Sequence, residues 1–295
     1  MELKSANPHD VAHSCLRFAA VFALALLAAC RLEIGATEPS PAPVTGILGA
    51  FSDEVAMLEQ SLSGAQSQIV QGIRFVTGSL KGRRVVIASS GVGKVNAAMS
   101  ATLLIDHFKP AEVLFTGIAG SVNPELHPGD IVIGVKTAQH DLGTLTHAGI
   151  ERRGARSPVD GQRGPVFLEA DSRLVSQAES AARGIRLDKI QTSEGLRAPR
   201  AVRGVIVTGD VFVASPAKAK ELREELKADA VDMESAAVAQ VCRLLGVPWL
   251  VIRSVSDAAD ANAARDTSRF YAIAAENSMR LVTALVAMWG QTDVI

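Results

Sequence analysis

Read for hydrophobic periodicity, the clearest unit of the chain runs from residue 230 to residue 257. Ala230-Val231 lead into Asp232-Met233-Glu234, after which Ala236, Ala237, Ala239, Val241, Leu244 and Leu245 recur at helical spacing. Gly246-Val247-Pro248 ends that helix, because Gly suits its C-terminal cap and Pro cannot continue it. Trp249 to Ile252 is a continuous apolar run of the kind buried on both faces of a parallel sheet, and it closes on Arg253-Ser254-Val255-Ser256-Asp257. Met233-Glu234 thus follow one strand, while Arg253 and Asp257 end the next. Ligands of open α/β sheets sit at that carboxyl edge. Either acid alone could serve a helix N-terminus. Both at matching strand ends, with Arg253 beside them, point to a site.

The same pattern divides the rest of the chain. Val44 to Phe51 has the apolar content of a short buried strand, and Ser52-Asp53-Glu54 then opens a helical pattern through Val55, Leu58 and Leu62, with Ser52 as candidate cap. Ile73 to Ser79 and Val85 to Ser89 are expected to pair across the turn Leu80-Lys81-Gly82-Arg83. Ser90-Gly91-Val92-Gly93-Lys94 leads to a helix over Ala97 to Phe108. Its Gly-x-Gly-Lys lacks the spacing, and the Ser or Thr after Lys, of a nucleoside triphosphate loop, so it reads as a structural turn. Ala111 to Gly120 is a strand running into a Gly-rich turn, and Ile131 to Thr137 is another, followed by His140-Asp141. Helices are expected over Glu169 to Ala182, Pro216 to Lys227 and Thr267 to Met288, and a strand over Val205 to Thr208. Gly143 to Pro165 and Gly184 to Val202 show no periodicity.

Composition narrows the classes. The 295 residues carry 30 basic and 31 acidic side chains, enough chain for one sizeable α/β domain and no cationic excess for nucleic acid. The leader, residues 1–30, stands apart. Lys4 and Arg17 precede an apolar run from Phe18 to Ala29, which is shorter than the ~20 residues of a bilayer span but suits the core of a secretory signal. It ends Leu27-Ala28-Ala29-Cys30, similar to a bacterial lipobox, so an exported, periplasmic or membrane-anchored lipoprotein modified at Cys30 is expected. The alternative is a cytoplasmic protein with an Ala-rich first helix or a misassigned start. Pro39, Pro41 and Pro43 mark residues 31–43 as a flexible tether before a domain over 44–295. Cys15 and Cys30 belong to the leader, and Cys242 lies in an apolar helix as a packing residue. The sequence has no metal-ligand cluster, so neither metal nor cofactor is expected.

The string Val231-Asp232-Met233-Glu234, followed by Arg253-Ser254-Val255-Ser256-Asp257, resembles the nucleoside phosphorylase/nucleosidase superfamily. Within it, the chain is most similar to the 5′-methylthioadenosine/S-adenosylhomocysteine nucleosidases. The resemblance runs from Val44 to about Met288 and includes the segments GILGAFSDEV, GVGKV and GDVF. It implies a single α/β domain with a twisted mixed central sheet flanked by helices, and a homodimer. It also implies hydrolysis of the N-glycosidic bond of a purine nucleoside, 5′-methylthioadenosine or S-adenosylhomocysteine, with release of adenine. On this basis Glu54 activates water, Arg253 completes the hydrogen bonds of Glu54, and Asp257 protonates purine N7. Glu234 holds the ribose hydroxyls and Met233 packs on the sugar. Ile118, Ala119, Gly120 and Ser256 lie near base or ribose, Phe212 stacks on the purine, and the main chain of Val213 reads its edge. The phosphorylase branch carries an Arg for phosphate where this chain has Phe115, so water is the expected nucleophile. Two positions depart from the pattern. Ile118 replaces a small Ser or Thr that helps to hold the water, and Thr267 replaces an aromatic that contacts the 5′ substituent. His140-Asp141 matches a family segment with a structural or subunit-contact role. Phosphorolysis through another Arg, and a non-catalytic nucleoside-binding or storage protein, are the alternatives.

Overall fold

The apolar run at Trp249 is the centre of a sheet covered on both faces. A computed structural model describes residues 43–192 and 195–290. The expected leader and all but the last residue of the expected tether lie outside the described residues. The described residues form one compact unit. Its strands are β1 (Val44–Gly49), β2 (Ser63–Val70), β3 (Ile73–Leu80), β4 (Arg83–Ser89), β5 (Glu112–Ser121), β6 (Ile131–Gln139), β7 (Gly143–Thr146), β8 (Gly149–Arg152), β9 (Phe167–Glu169), β10 (Ile190–Thr192), β11 (Gly195–Arg197), β12 (Ala201–Thr208), β13 (Ala230–Asp232) and β14 (Trp249–Asp257). The helices are α1 (Asp53–Gln60), α2 (Lys94–Phe108), α3 (Ser172–Gly184), α4 (Pro216–Leu226), α5 (Ser235–Leu244) and α6 (Ala263–Gly290).

The main sheet has the order β13-β12-β6-β14-β5-β1-β4-β3-β2, with β9 added on β6. It is mixed, as expected. β14 runs parallel to β5 but antiparallel to β6, so the expectation of a parallel strand holds on one side only. Every residue of β14 is buried. Its alternate residues enter different layers, as the two-residue period of a strand requires. Trp249 and Val251 pack with Phe115, with Ala97, Ala101 and Leu104 of α2, and with Val238 and Cys242 of α5. Leu250 and Ile252 pack on the other face with Leu114, Val55 and Leu58 of α1, Leu174 of α3 and Leu281, Val282 and Leu285 of α6. A strand sandwiched in this way has no polar face to show, which is why its sequence is a run rather than an alternation. Cys242 is core, and burial pushes its thiol up to about 12.

Several boundaries differ from expectation for local reasons. β2 is a polar edge strand, exposed at all but its last residue, so no apolar alternation marks it. The unperiodic stretch from Gly143 holds the β7–β8 hairpin, and the one from Gly184 holds the β10–β11 hairpin and the start of β12. α3 begins at Ser172 because the Asp171 carboxylate accepts the Leu174 N–H at 3.0 Å, and the residues before it form β9. α2 starts at Lys94 and α6 at Ala263, each before the expected residue. Ser52 makes no side-chain cap for α1. Leu250→Ala, at a fully buried position between two layers, is expected to lower unfolding stability by about 2–5 kcal/mol in denaturant titration.

Candidate active site

Three strand ends and one helix start build the site, and β5 is the ruler along which its groups are placed. β14 pairs with β5 so that Arg253 faces Gly117 and Val255 faces Ala119. The register then slips between Val255 and Asp257, leaving Ser256 as the extra residue and bringing Asp257 opposite Gly120. Such a bulge re-aims the side chain that follows it. On the other edge of the β5 end, β13 pairs antiparallel, with Val231 facing Gly120. β1, also parallel to β5, leads into α1, whose first turn carries Glu54.

Glu54 is buried, and its carboxylate folds back to accept the Phe51 N–H at 2.9 Å and the Ile118 N–H at 3.0 Å. Ile118 therefore meets the site through its main chain, while its side chain packs into the layer beneath α6. Burial raises the Glu54 pKa above the ordinary carboxylate range, and the field of Arg253 offsets part of that rise. A Cβ at Gly117 would stand 2.2 Å from Arg253 Nη1 and 2.5 Å from Glu54 Oε1, so the glycine makes room for both groups.

Arg253 is almost wholly buried, and its hydrogen bonds go elsewhere than expected. Nε donates to Asp232 Oδ2 at 2.8 Å, Nη1 to the Thr116 carbonyl at 3.1 Å, and Nη2 lies 3.5 Å from Glu234 Oε2. The guanidinium sits 4.2 Å over the centroid of Phe115. The expectation that Arg253 completes the hydrogen bonds of Glu54 is thus corrected: Arg253 acts on Glu54 through its field, and its direct partner is Asp232. Asp232 was part of the recognised string without a role. It also accepts the Thr208 hydroxyl at 2.5 Å and a short bond from the Ser235 hydroxyl, which fixes it at the start of α5.

Glu234 points away from its own helix. Its Oε1 accepts the Gly93 N–H at 2.9 Å, and burial, with Asp232 and Glu54 adding to it against Arg253, raises its pKa to about 7. Asp257 Oδ1 accepts the Ala259 N–H at 2.8 Å, while Oδ2 accepts the hydroxyls of Ser256 at 2.7 Å and Thr267 at 2.9 Å. Ser256, expected at the substrate, is a buried prop of Asp257, with the Ala119 carbonyl a more distant acceptor at 3.3 Å. Gly120 allows this approach, since a Cβ there would lie 2.9 Å from Asp257 Oδ1. Glu54 bonds at Ile118 and Asp257 lies at Gly120. The two acids therefore stand within a few residues of each other along β5, at ~3.3 Å per residue.

Beside Asp257, Gly120, Phe212, Val213 and Met233 line a cavity of about 30 Å³, with Phe212 half exposed at its rim. A cavity of that size holds a few waters at most. A roomier one of about 420 Å³ lies among Arg153, Arg156, Arg163 and Arg243, and none of these acids lines it.

The phosphorylase superfamily profile matches residues 44–287. The chain belongs to the phosphorylase superfamily. Its superfamily relatives include the 5′-methylthioadenosine/S-adenosylhomocysteine nucleosidase of Geobacillus kaustophilus, 38% identical over 83% of this chain and 97% of the relative. The enzyme of the same name from Mycobacterium bovis is 37% identical over the same shares. Among solved superfamily structures, the Neisseria meningitidis nucleosidase in complex with methylthio-immucillin-A superposes with a TM-score of 0.71 at 32% identity, covering 83% of this chain and 99% of that one. Futalosine hydrolase of Helicobacter pylori also reaches 0.71, at 30% identity over 84% and 98%.

Burying unprofitable acids has a measurable consequence for this superfamily member. With its pKa raised from 4.5 to about 7, Glu234 holds its proton more tightly folded than unfolded. Its contribution to stability is therefore greatest below pH 4.5 and is lost as pH rises through about 7. Glu234→Gln removes that loss. In calorimetry without ligand its Tm is expected to exceed the parent's by several degrees at pH 8, with the gap closing at pH 5.

Proposed function

We propose that this protein is a nucleosidase that hydrolyses the N-glycosidic bond of 5′-methylthioadenosine or S-adenosylhomocysteine and releases adenine. The observation that carries this reading is the placement of buried Glu54 and Asp257 at neighbouring points of one strand end, with Glu234 beside them. The similarity to nucleosidases over nearly their whole length supports it. Breaking the bond between C1′ and N9 leaves negative charge on the purine and positive charge on the ribose. Asp257 gives a proton to N7, so adenine leaves neutral. Water adds to C1′, and Glu54 takes its proton. Glu234 accepts hydrogen bonds from the 2′ and 3′ hydroxyls, which acidify as the ribose becomes cationic, so this contact strengthens in the transition state. Two carboxylates serving opposite sides of the ring follow the logic of inverting glycosidases. The purine enters where Phe212 and Val213 rim the small cavity, and Phe212 must move to close on it.

Phosphorolysis is the weaker reading. Phe115 is core, and the guanidinium above it is spent on Asp232, Glu234 and the Thr116 carbonyl. One of the two departures also finds a use. Thr267 gives a hydroxyl to Asp257, whereas at Ile118 the bond to Glu54 comes from the main-chain N–H and does not depend on the side chain. A homodimer belongs to the same proposal, supported by the exposed apolar residues Val95, Met99 and Leu145.

A nucleoside panel assayed with and without phosphate tests the reaction. Adenine and free 5-methylthioribose are the expected products, with a rate indifferent to phosphate; a sugar 1-phosphate would reassign the chain to phosphorolysis. Asp257→Asn is expected to lower turnover by about 100- to 10,000-fold while leaving substrate bound, the range of a lost general acid. Export as a lipoprotein is proposed from Leu27-Ala28-Ala29-Cys30 after its apolar run. Cys30→Ser should move the protein from the membrane to the soluble fraction of its native host, and a soluble parent retaining Met1 would end that idea.

A further inference from the structure

Two segments with no part in this chemistry meet beside the ribose acid: the turn at Gly93-Lys94 and the pair His140-Asp141. Gly93 and Lys94 open α2, where the first N–H groups lack partners within the helix and favour negative charge. They are shared between two carboxylates from distant parts of the chain. The Gly93 N–H goes to Glu234 Oε1 at 2.9 Å, and the Lys94 N–H goes to Asp210 Oδ1 at 2.8 Å. The Lys94 ammonium then closes a ring. It donates to Asp141 Oδ1 at 2.7 Å and Gln139 Oε1 at 3.1 Å and lies 3.8 Å from Asp210 Oδ2. Asp141 Oδ2 in turn accepts the Asp210 N–H at 2.9 Å. Burial works against the Asp141 charge, but the Lys94 bond and the Asp210 N–H outweigh it and hold the carboxyl below its usual range.

We propose that Lys94 is a positioning residue for both halves of the substrate: through Asp141 and Asp210 it locks the turn that donates to Glu234 onto the loop that carries Phe212. The inference rests on the nucleosidase reading and deepens it. Asp210 stands two residues before Phe212, so whatever fixes Asp210 against Lys94 sets the spacing between purine loop and ribose acid. Bulk stability is a poor account of the cluster. Lys94, Asp141 and Asp210 are all partly open to solvent, and ion pairs of that kind contribute ~0–1 kcal/mol. A phosphate loop is a poor account too, because carboxylates and an amide already take the ammonium. His140 completes the shape: it is buried against Gly209, and burial lowers its pKa, so it enters the cluster as a neutral ring.

The test uses Lys94→Met, Lys94→Arg, Asp141→Asn and the Lys94→Met/Asp141→Asn double variant in the full chain, with initial rates on 5′-methylthioadenosine against pH and Tm as control. Loosening two loops by a fraction of an ångström is expected to lower kcat/KM roughly 10- to 100-fold in Lys94→Met, mostly through KM. Asp141→Asn should show a smaller loss, and the double variant should be no worse than Lys94→Met, because both break one ring. Lys94→Arg should recover most of the loss. A weakened Gly93 N–H contact also disfavours the charged form of Glu234. The acidic limb of kcat/KM should therefore move to higher pH in Lys94→Met, with Arg253, Asp232 and Glu54, the charged groups that face Glu234, unchanged. Parent-like kcat/KM with an unmoved limb in Lys94→Met would overturn the proposal, as would losses that track Tm equally in the Met and Arg variants. If Lys94→Met does not fold, a parent-like Asp141→Asn overturns it alone. A parent that releases no purine would instead defeat the nucleosidase reading.

Discussion

The Arg253–Asp232 ion pair, 2.8 Å long and almost wholly out of water, is the contact on which the site depends. Removing a guanidinium from water costs several kcal/mol unless its donors are met, and breaking one side of such a pair leaves an uncompensated charge. Here the donors are met by Asp232, the Thr116 carbonyl and Glu234, with the Phe115 ring beneath. Asp232 is itself fixed by Thr208 and Ser235, which sets the position of the guanidinium. One positive charge then faces three carboxylates, Asp232, Glu234 and Glu54. Asp232 takes the direct bond. The other two resist ionisation, and both pKa values rise. The single guanidinium thus compensates the charge of these two acids only in part.

Backbone geometry makes this crowding possible. Without side chains at Gly117 and Gly120, Glu54 and Arg253 approach β5 at one level and Asp257 at the next. The bulge at Ser256 turns Asp257 toward that strand, and the hydroxyls of Ser256 and Thr267 fix one of its oxygens. Tied by three donors, the Asp257 carboxyl is held in one orientation beside Gly120. The sheet thus places Glu54, Arg253 and Asp257 along one strand, while the loop that carries Phe212 is joined to the start of α2 through Asp210 and Lys94.

How much of this was legible in the amino-acid order depends on how far apart in the chain the partners lie. The strand–helix–strand unit from Ala230 to Asp257, its glycine stop and the buried run at Trp249 follow from local pattern, because each residue's layer is set by its neighbours within one element. The same stretch carries two of the three acids at its strand ends. Elements without a buried face left no such trace. β2 is a polar edge strand, and β7 and β8 form a hairpin exposed along most of its length, so periodicity had nothing to register. The resemblance named Glu54, Glu234, Arg253 and Asp257 as candidates, but not the bonds that hold them.

By itself, then, the sequence determined the layers, the carboxyl edge and the residue types brought to it. Tertiary structure alone decided the pairings. Asp232 became the partner of Arg253 because β13 and β14 flank the end of β5. Ile118, 64 residues from Glu54, bonds it through a main-chain N–H that no side-chain pattern encodes. Gly93 reaches Glu234 across 141 residues, and Lys94 meets Asp210 across 116. A buried polar group takes whichever donor the sheet order places within about 3 Å, and that order is a property of strand pairing rather than of local sequence.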